Sequence, residues 1–131
     1  MLVVVKTKMA KKKILVVEDD KDIQDSVVEL LESEGFETIC ANNGREALQI
    51  LKDTAQNLPD LIILDLMMPV MDGFEFREEQ KRDPRIANVP IVIMSADGNI
   101  EPKKHKIDAK AYIKKPLDVD DLMELVKQHA V

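Results

Sequence analysis

Glu18-Asp19-Asp20, Asp65, Ser95 and Lys114-Lys115 are the residues whose types and places suggest chemistry. Each follows a short, mostly apolar run. Glu18-Asp19-Asp20 comes after Ile14–Val17, Asp65 after Leu61–Leu64, Ser95 after Val89–Met94, and Lys114-Lys115-Pro116 after Ala109–Ile113. Carboxylates gathered in one place repel one another unless a cation joins them. Oxygen-only ligands select a hard ion, Mg²⁺ first, which keeps several waters and takes a phosphate oxygen as a further ligand. Asp65 is the hardest of these to dismiss, because an ionisable group directly after four apolar strand residues is costly unless paired or metal-bound. An acidic loop is also the opposite of a phosphate cradle, which needs glycine-rich amides at a helix N-terminus in patterns such as GxGxxG. No such pattern occurs among Gly35, Gly44, Gly73 and Gly98. A flavin mononucleotide site would want Ser, Thr or Gly where this chain has Glu-Asp-Asp.

Taken singly, each residue has a plainer use. Asp20 suits the N-cap of a helix, with Asp22 in its first turn. Glu18-Asp19 suits a solvated loop, Ser95 a turn, and Lys115 a solvated charge. Pro116 suits a stop before a cap at Asp118. The case for a site rests on their falling together, and that depends on the elements that carry them.

Those elements alternate. Ile14–Val17 is a β-branched run fit for a strand buried on both faces. Ile23, Val27, Leu30 and Leu31 then recur at helical spacing, ended by Gly35. Phe36–Ala41 reads as a second strand, and Asn43 as the cap of a helix carrying Ala47, Leu48, Ile50 and Leu51. Leu61–Leu64 is the third strand, followed by a helix from Asp72-Gly73 to Asp83-Pro84. Val89–Met94 is the fourth strand, and 99–107 a weak helix with Pro102 in its first turn. Ala109–Ile113 is the fifth strand, and Asp118 caps a last helix bearing Leu122, Leu125 and Val126. Five βα units imply an α/β fold, a doubly wound parallel sheet with helices on both faces. In such sheets ligands bind beyond the carboxyl ends of the strands, so all the residues above share one rim.

The chain has 131 residues, a net charge of −6, 45% apolar and 34% charged residues. That is one globular domain by size and composition. The longest apolar run is five residues, Met1–Val5, against about 20 for a membrane helix, so no membrane association is expected. The acidic balance argues against direct nucleic-acid binding. Cys40 stands alone, which excludes an intrachain disulfide; a buried-type thiol suits a reducing cytoplasm. Residues 1–13 hold five lysines and no acid, leaving −11 on residues 14–131 (14 basic, 25 acidic). Residues 1–9 read as an N-terminal extension and 10–131 as the domain, with Leu2–Val5 as an extra edge strand the alternative.

The motifs Ile-Leu-Val-Val-Glu18-Asp19-Asp20, Leu-Ile-Ile-Leu-Asp65-Leu-Met67-Met-Pro69-Val-Met-Asp72-Gly73, Ile-Val-Ile-Met-Ser95-Ala96 and Ala-Tyr112-Ile-Lys-Lys115-Pro116 together resemble the response-regulator receiver domain of two-component signalling. The likeness is to the stand-alone, chemotaxis type and covers about residues 12–130. It implies a flavodoxin-like (βα)5 sheet of order 2-1-3-4-5. It implies that Asp65 is the phosphoacceptor, and that Glu18, Asp19, Asp65 and the Met67 backbone carbonyl hold Mg²⁺. Ser95 would bond the phosphoryl group, and Lys115, before a cis bond to Pro116, would neutralise it. Ser95 and Tyr112 would form the switch. The donor would be a sensor histidine kinase or a histidine phosphotransfer protein. Output would pass to a separate protein through the face of the fourth helix, fifth strand and last helix, with the chain a monomer or a phosphorylation-dependent dimer. Such a module is no enzyme beyond its own phosphorylation and dephosphorylation.

Several features depart from the family pattern. Residues 99–107 hold only two apolar side chains, predicting mobility before phosphorylation. Arg77 and Gln80 stand at positions usually apolar, and Arg77 is expected to lay its alkyl stem over the core. Met67 has no group to orient a water, whereas Asp97 does. Lys103, Lys104, Lys106, Lys110, Lys114 and Lys115 make the expected output face basic, which suits an acidic partner. The competing readings are a Mg²⁺-dependent phosphohydrolase with an aspartyl nucleophile, disfavoured by Met67 at the usual place of a second acid, and a binding-only pseudo-receiver, disfavoured by the full residue set.

Overall fold

The computed structural model describes residues 11–96 and 107–130. Three strands are buried along most or all of their length: β1 (Lys13–Val17), β3 (Leu61–Asp65) and β4 (Ile91–Ser95). They are the centre of the sheet, where near-continuous Val, Ile and Leu is required because helices cover both faces. β2 (Glu37–Ala41) and β5 (Ala111–Lys114) have mixed burial and form the edges. All neighbours pair in parallel in the order β2-β1-β3-β4-β5, the doubly wound, flavodoxin-like arrangement expected.

Alternate strand residues feed two cores. Leu15, Val17, Ile62, Leu64, Ile91 and Ile93 pack on one side with α2 (Gly44–Asp53) and α3 (Gly73–Arg82). Ile14, Val16, Leu61, Ile63, Val92 and Met94 pack on the other with α1 (Lys21–Ser33) and α4 (Val119–His129). Gly35 follows α1 at φ +91°, a left-handed conformation that glycine adopts without strain. The caps at Asp20, Asn43, Asp72 and Asp118 are all present. Among the described residues no helix is long and apolar enough to cross a membrane.

Some sequence expectations shift. Pro90 has no N–H for the ladder, so β4 begins at Ile91 rather than Val89. β3 and β4 run one residue further than expected, making Asp65 and Ser95 the last residues of their strands. β5 starts at Ala111 rather than Ala109, and β2 at Glu37 rather than Phe36. Cys40 is exposed rather than buried, because β2 is an edge strand. The expectations for Leu2–Val5, residues 1–9, Asp97, Lys103, Lys104 and Lys106 lie outside the described residues. So does the helix expected over 99–107, apart from Ile107, which is buried in the α2–α3 core.

Arg77 corrects another expectation. Its guanidinium, rather than its stem alone, is engaged: Nε donates to the Ile107 carbonyl at 2.8 Å, and a terminal nitrogen to Gln80 Oε1 at 2.8 Å and the Ala87 carbonyl at 3.3 Å. Gln80 Nε2 donates in turn to the Ile86 and Val89 carbonyls at 2.9 and 3.2 Å. The pair satisfies four backbone carbonyls and ties α3 to the segments entering β4 and β5. Gln80→Leu removes the side-chain donor of the Val89 carbonyl, leaves the Ile86 carbonyl only the long Val89 amide contact at 3.4 Å, and leaves the Arg77 terminal nitrogen only the Ala87 carbonyl at 3.3 Å. It is expected to lower unfolding free energy by about 3 kcal/mol in urea titrations. A loss below about 1 kcal/mol would mean that other groups satisfy those atoms.

Candidate functional site

The ends of β1, β3, β4 and β5 surround a cleft of about 260 Å³ lined by Glu18, Asp19, Asp20, Ile23, Asp65, Met67, Ser95, Ala96 and Lys115. Every expected site residue except Tyr112 is on it. Tyr112 stands apart in β5, opposite Ile93, half-buried against the α2–α3 core. Lys114 and Lys115, equivalent by sequence, separate here: Lys114 is exposed, whereas Lys115 turns into the cleft. Lys115 therefore leaves the basic surface patch anticipated above.

Each cleft residue is held by its backbone. Asp20 caps α1, its carboxylate accepting from the Asp22 and Ile23 amides, so it serves as the expected cap while also lining the cleft. Asp65 is only 4% exposed; its Oδ1 accepts from the Met67 amide at 3.3 Å. The loop after it is tightly folded. Gly73 N–H donates to the Leu66 carbonyl at 2.9 Å. A Cβ on Gly73 would lie 2.8 Å from the Asp65 carbonyl oxygen and 2.9 Å from Leu66 Cα, so only glycine lets α3 start this close to β3. Val70 in that loop has φ +69°. For a β-branched residue this left-handed conformation costs about 1–3 kcal/mol. The Met67 side chain is 68% exposed at the cleft mouth. Ser95 is buried, and its carbonyl accepts from the Lys115 amide at 2.8 Å. The Lys115–Pro116 bond is cis, as the resemblance implied.

Charge is concentrated to an unusual degree. Glu18 is fully buried, with Oε2 accepting from the Asp20 amide at 3.1 Å. Its Oε1 has Lys115 Nζ at 2.6 Å, a close ion pair without a well-angled hydrogen bond. The same Nζ is 3.5 Å from Asp65 Oδ2. Burial raises the Glu18 pKa from its ordinary 4.5 to about 7, with Asp65 adding to the rise and Lys115 opposing it. Burial works to depress the Lys115 pKa too, but the Glu18 and Asp65 carboxylates outweigh it, so Lys115 stands above its ordinary value and stays charged.

One ammonium does not balance three carboxylates. Oxygens of Glu18, Asp19 and Asp65 lie within 4.8 Å of one another. An all-oxygen donor set, two members buried and one exposed, suits a hard divalent ion reached from solvent. Sequence reasoning missed Gln24. It is buried on α1 and donates from Nε2 to the Glu18 carbonyl at 3.0 Å. Its signal was a polar residue on the helical face of Val27 and Leu31.

Comparison with known proteins agrees with this geometry. The family model "Response regulator receiver domain" matches residues 14–127. The chain is 32% identical over 123 residues to sporulation initiation phosphotransferase F of Bacillus subtilis, covering 92% of this chain and 95% of that protein. It is 36% identical over 117 residues to the DNA-binding dual master transcriptional regulator RpaA of Synechocystis, covering 88% of this chain but 47% of that protein. It spans only 24% of another relative, the regulatory protein AtoC of Escherichia coli, at 32% identity. Among solved structures, the chemotaxis protein CheY4 of Vibrio cholerae superposes with a TM-score of 0.82 at 30% identity, covering 92% of this chain and 99% of that one. The sheet order, the acid-lined rim and the matched 14–127 span make this chain a member of the response regulator receiver domain family.

Proposed function

We propose that this chain is a phosphoacceptor signalling module in which Asp65 takes a phosphoryl group from a phosphohistidine. The donor is a sensor histidine kinase or a histidine phosphotransfer protein. The observation that carries the reading is Lys115 Nζ set between two buried carboxylates, 2.6 Å from Glu18 and 3.5 Å from Asp65, in an open cleft. An Asp65 oxygen attacks phosphorus, forming an O–P bond as the N–P bond to the imidazole breaks and its electron pair leaves with the imidazole. Such transfers depend on alignment and charge neutralisation more than on covalent help. Lys115 offsets charge on the transferring group, and Ser95 bonds its oxygens. Glu18, Asp19, Asp65 and the Met67 carbonyl would hold Mg²⁺, which when bound supplies further positive charge at the phosphoryl oxygens.

The product adds nearly two negative charges at the rim. Movement of Ser95 toward the phosphoryl group and of Tyr112 behind it would bias a two-state equilibrium. Tyr112 lines a groove of about 330 Å³ with Ile113, Lys114, Asp121, Glu124 and Leu125, between β5 and α4. This groove is where a downstream protein would read the change. Its mixed charge, Lys114 beside Asp121 and Glu124, suits a partner of both signs better than a purely acidic one. The cytoplasm, where histidine kinases present their phosphohistidine, is the matching compartment.

Intact mass after treatment with acetyl phosphate and Mg²⁺ tests the central step. The wild type should gain the mass of one phosphoryl group, and Asp65→Asn should gain none. Equal labelling of both would place the acceptor elsewhere. The metal reading has its own test through pH. A raised Glu18 pKa means the folded protein binds the proton more tightly than the unfolded chain. Ionised Glu18 therefore costs stability, growing as pH rises from 4.5 to about 7 and complete above that. Mg²⁺ relieves this cost only where Glu18 is ionised, so it should raise Tm more near pH 8 than near pH 6. An equal Tm gain at both would remove Glu18 from the metal site.

A further inference from the structure

We propose that Gln24 is the positioning residue of the Glu18–Asp19 acid pair. The idea rests on the Mg²⁺ reading above but assigns a residue outside it. The paired part of β1 ends at Val17, opposite Ala41 and Leu64. Glu18 lies beyond that last rung, at the point where the chain must turn its acids into the cleft. Its N–H is still held, donating to the Ala41 carbonyl at 3.0 Å. Its carbonyl is taken by Gln24 Nε2 at 3.0 Å. That carbonyl belongs to the peptide joining Glu18 to Asp19, so the bond fixes the plane from which the two acids diverge. One acid is thereby directed inward to Lys115 and the other outward to solvent.

The rest of the Gln24 amide is equally engaged. Nε2 also lies 3.2 Å from Asn42 Oδ1 and 3.3 Å from the Ala41 carbonyl, and Oε1 accepts from Lys21 Nζ at 3.1 Å. Gln24 is 1% exposed, so its two hydrogens are shielded from bulk solvent. The shortest of the three contacts is the one to Glu18. The amide thus acts as a cross-link between the ends of β1 and β2, supplied from the first turn of α1. Without it, repulsion among Glu18, Asp19 and Asp65 is opposed by the flexible Lys115 side chain, the Asp20 amide on Glu18 and the Met67 amide on Asp65, none of which holds the Glu18 carbonyl. Mg²⁺ demands near-ideal octahedral placement of its oxygens, at about 2.0–2.1 Å from the ion. Groups that orient ligands typically contribute about 10–100-fold to metal affinity.

The test uses the full chain with Gln24→Met, which keeps length and burial but cannot donate, and Gln24→Asn, which draws the amide back by one methylene. Because the chain has no tryptophan, Mg²⁺ alone is titrated against amide chemical shifts. In parallel, hydrogen exchange of the Asp20 amide is followed without metal, since that amide donates to Glu18 Oε2 and reports where the carboxylate sits. Expected are a Mg²⁺ affinity weaker by about tenfold and faster Asp20 exchange, in whichever variant gives a cooperative melt. Gln49→Ala, which removes an exposed amide bonded to Asp53 on α2, should change neither. A lowered Tm with Mg²⁺ affinity and Asp20 exchange both unchanged would mean a purely structural glutamine and overturn the proposal. Failure of the wild type to bind Mg²⁺ would overturn the metal reading instead, and Asp20 exchange would then decide on Gln24 by itself.

Discussion

Two carboxylates buried beside a single ammonium are the constraint on which the rest of the rim depends. Glu18 and Asp65 each come at the end of a central strand, with apolar side chains behind them and the cleft in front. Removing ionised carboxylates from water is costly, and the cost is recovered only with a partner in good geometry. Lys115 is that partner for both, yet it arrives from the far edge of the sheet, after β5. The site therefore exists only if β1, β3, β4 and β5 end in register. A doubly wound parallel sheet is a direct way to bring those ends together, because every strand points its carboxyl end to the same rim.

That demand explains local features that look unfavourable on their own. Val70 adopts a left-handed backbone conformation in the loop just after Asp65. The strain is tolerated because both ends of the loop are fixed: Gly73 N–H on the Leu66 carbonyl, and the Met71 carbonyl accepting from Gly44 N–H at 3.0 Å. Gly44 and Gly73 both meet neighbouring atoms within 3 Å of where a Cβ would stand. Backbone-to-backbone contact of this kind leaves little freedom to the chain carrying Asp65, which is what the proposed phosphoacceptor role would require.

The sequence made the sheet and most of the rim legible because both depend on local rules. Apolar runs of β-branched residues mark central strands wherever they occur, and Asp20, Asn43, Asp72 and Asp118 mark helix starts by chemistry that acts over three residues. Acids after Ile14–Val17 and Leu61–Leu64 could then be placed on one edge without coordinates. What could not be read depends on contacts between distant segments. Arg77 and Gln80 gave no sign that they would bond carbonyls near Ile86, Val89 and Ile107, because those carbonyls come together only on folding. Cys40 looked apolar enough for a core, but burial of a β2 residue depends on whether that strand is central or at an edge. Lys114 and Lys115 are the same residue type, and only β5 register sends one outward and the other to Glu18.

Lys115 also bears on how a charge at Asp65 would be felt elsewhere. Its ammonium is divided unequally, close to Glu18 and further from Asp65. Its amide is bonded to the Ser95 carbonyl, so side chain and backbone together connect the ends of β1, β3, β4 and β5. A phosphoryl group on Asp65 would deepen the potential on that side by nearly two charges. The shift would redistribute Lys115 between its two partners and draw on the backbone that enters β5 and the groove beside Tyr112. A buried ion pair contributes little to net stability. An unequal three-member arrangement of this kind is better understood as a balance, poised so that one added charge changes which contact is the shorter.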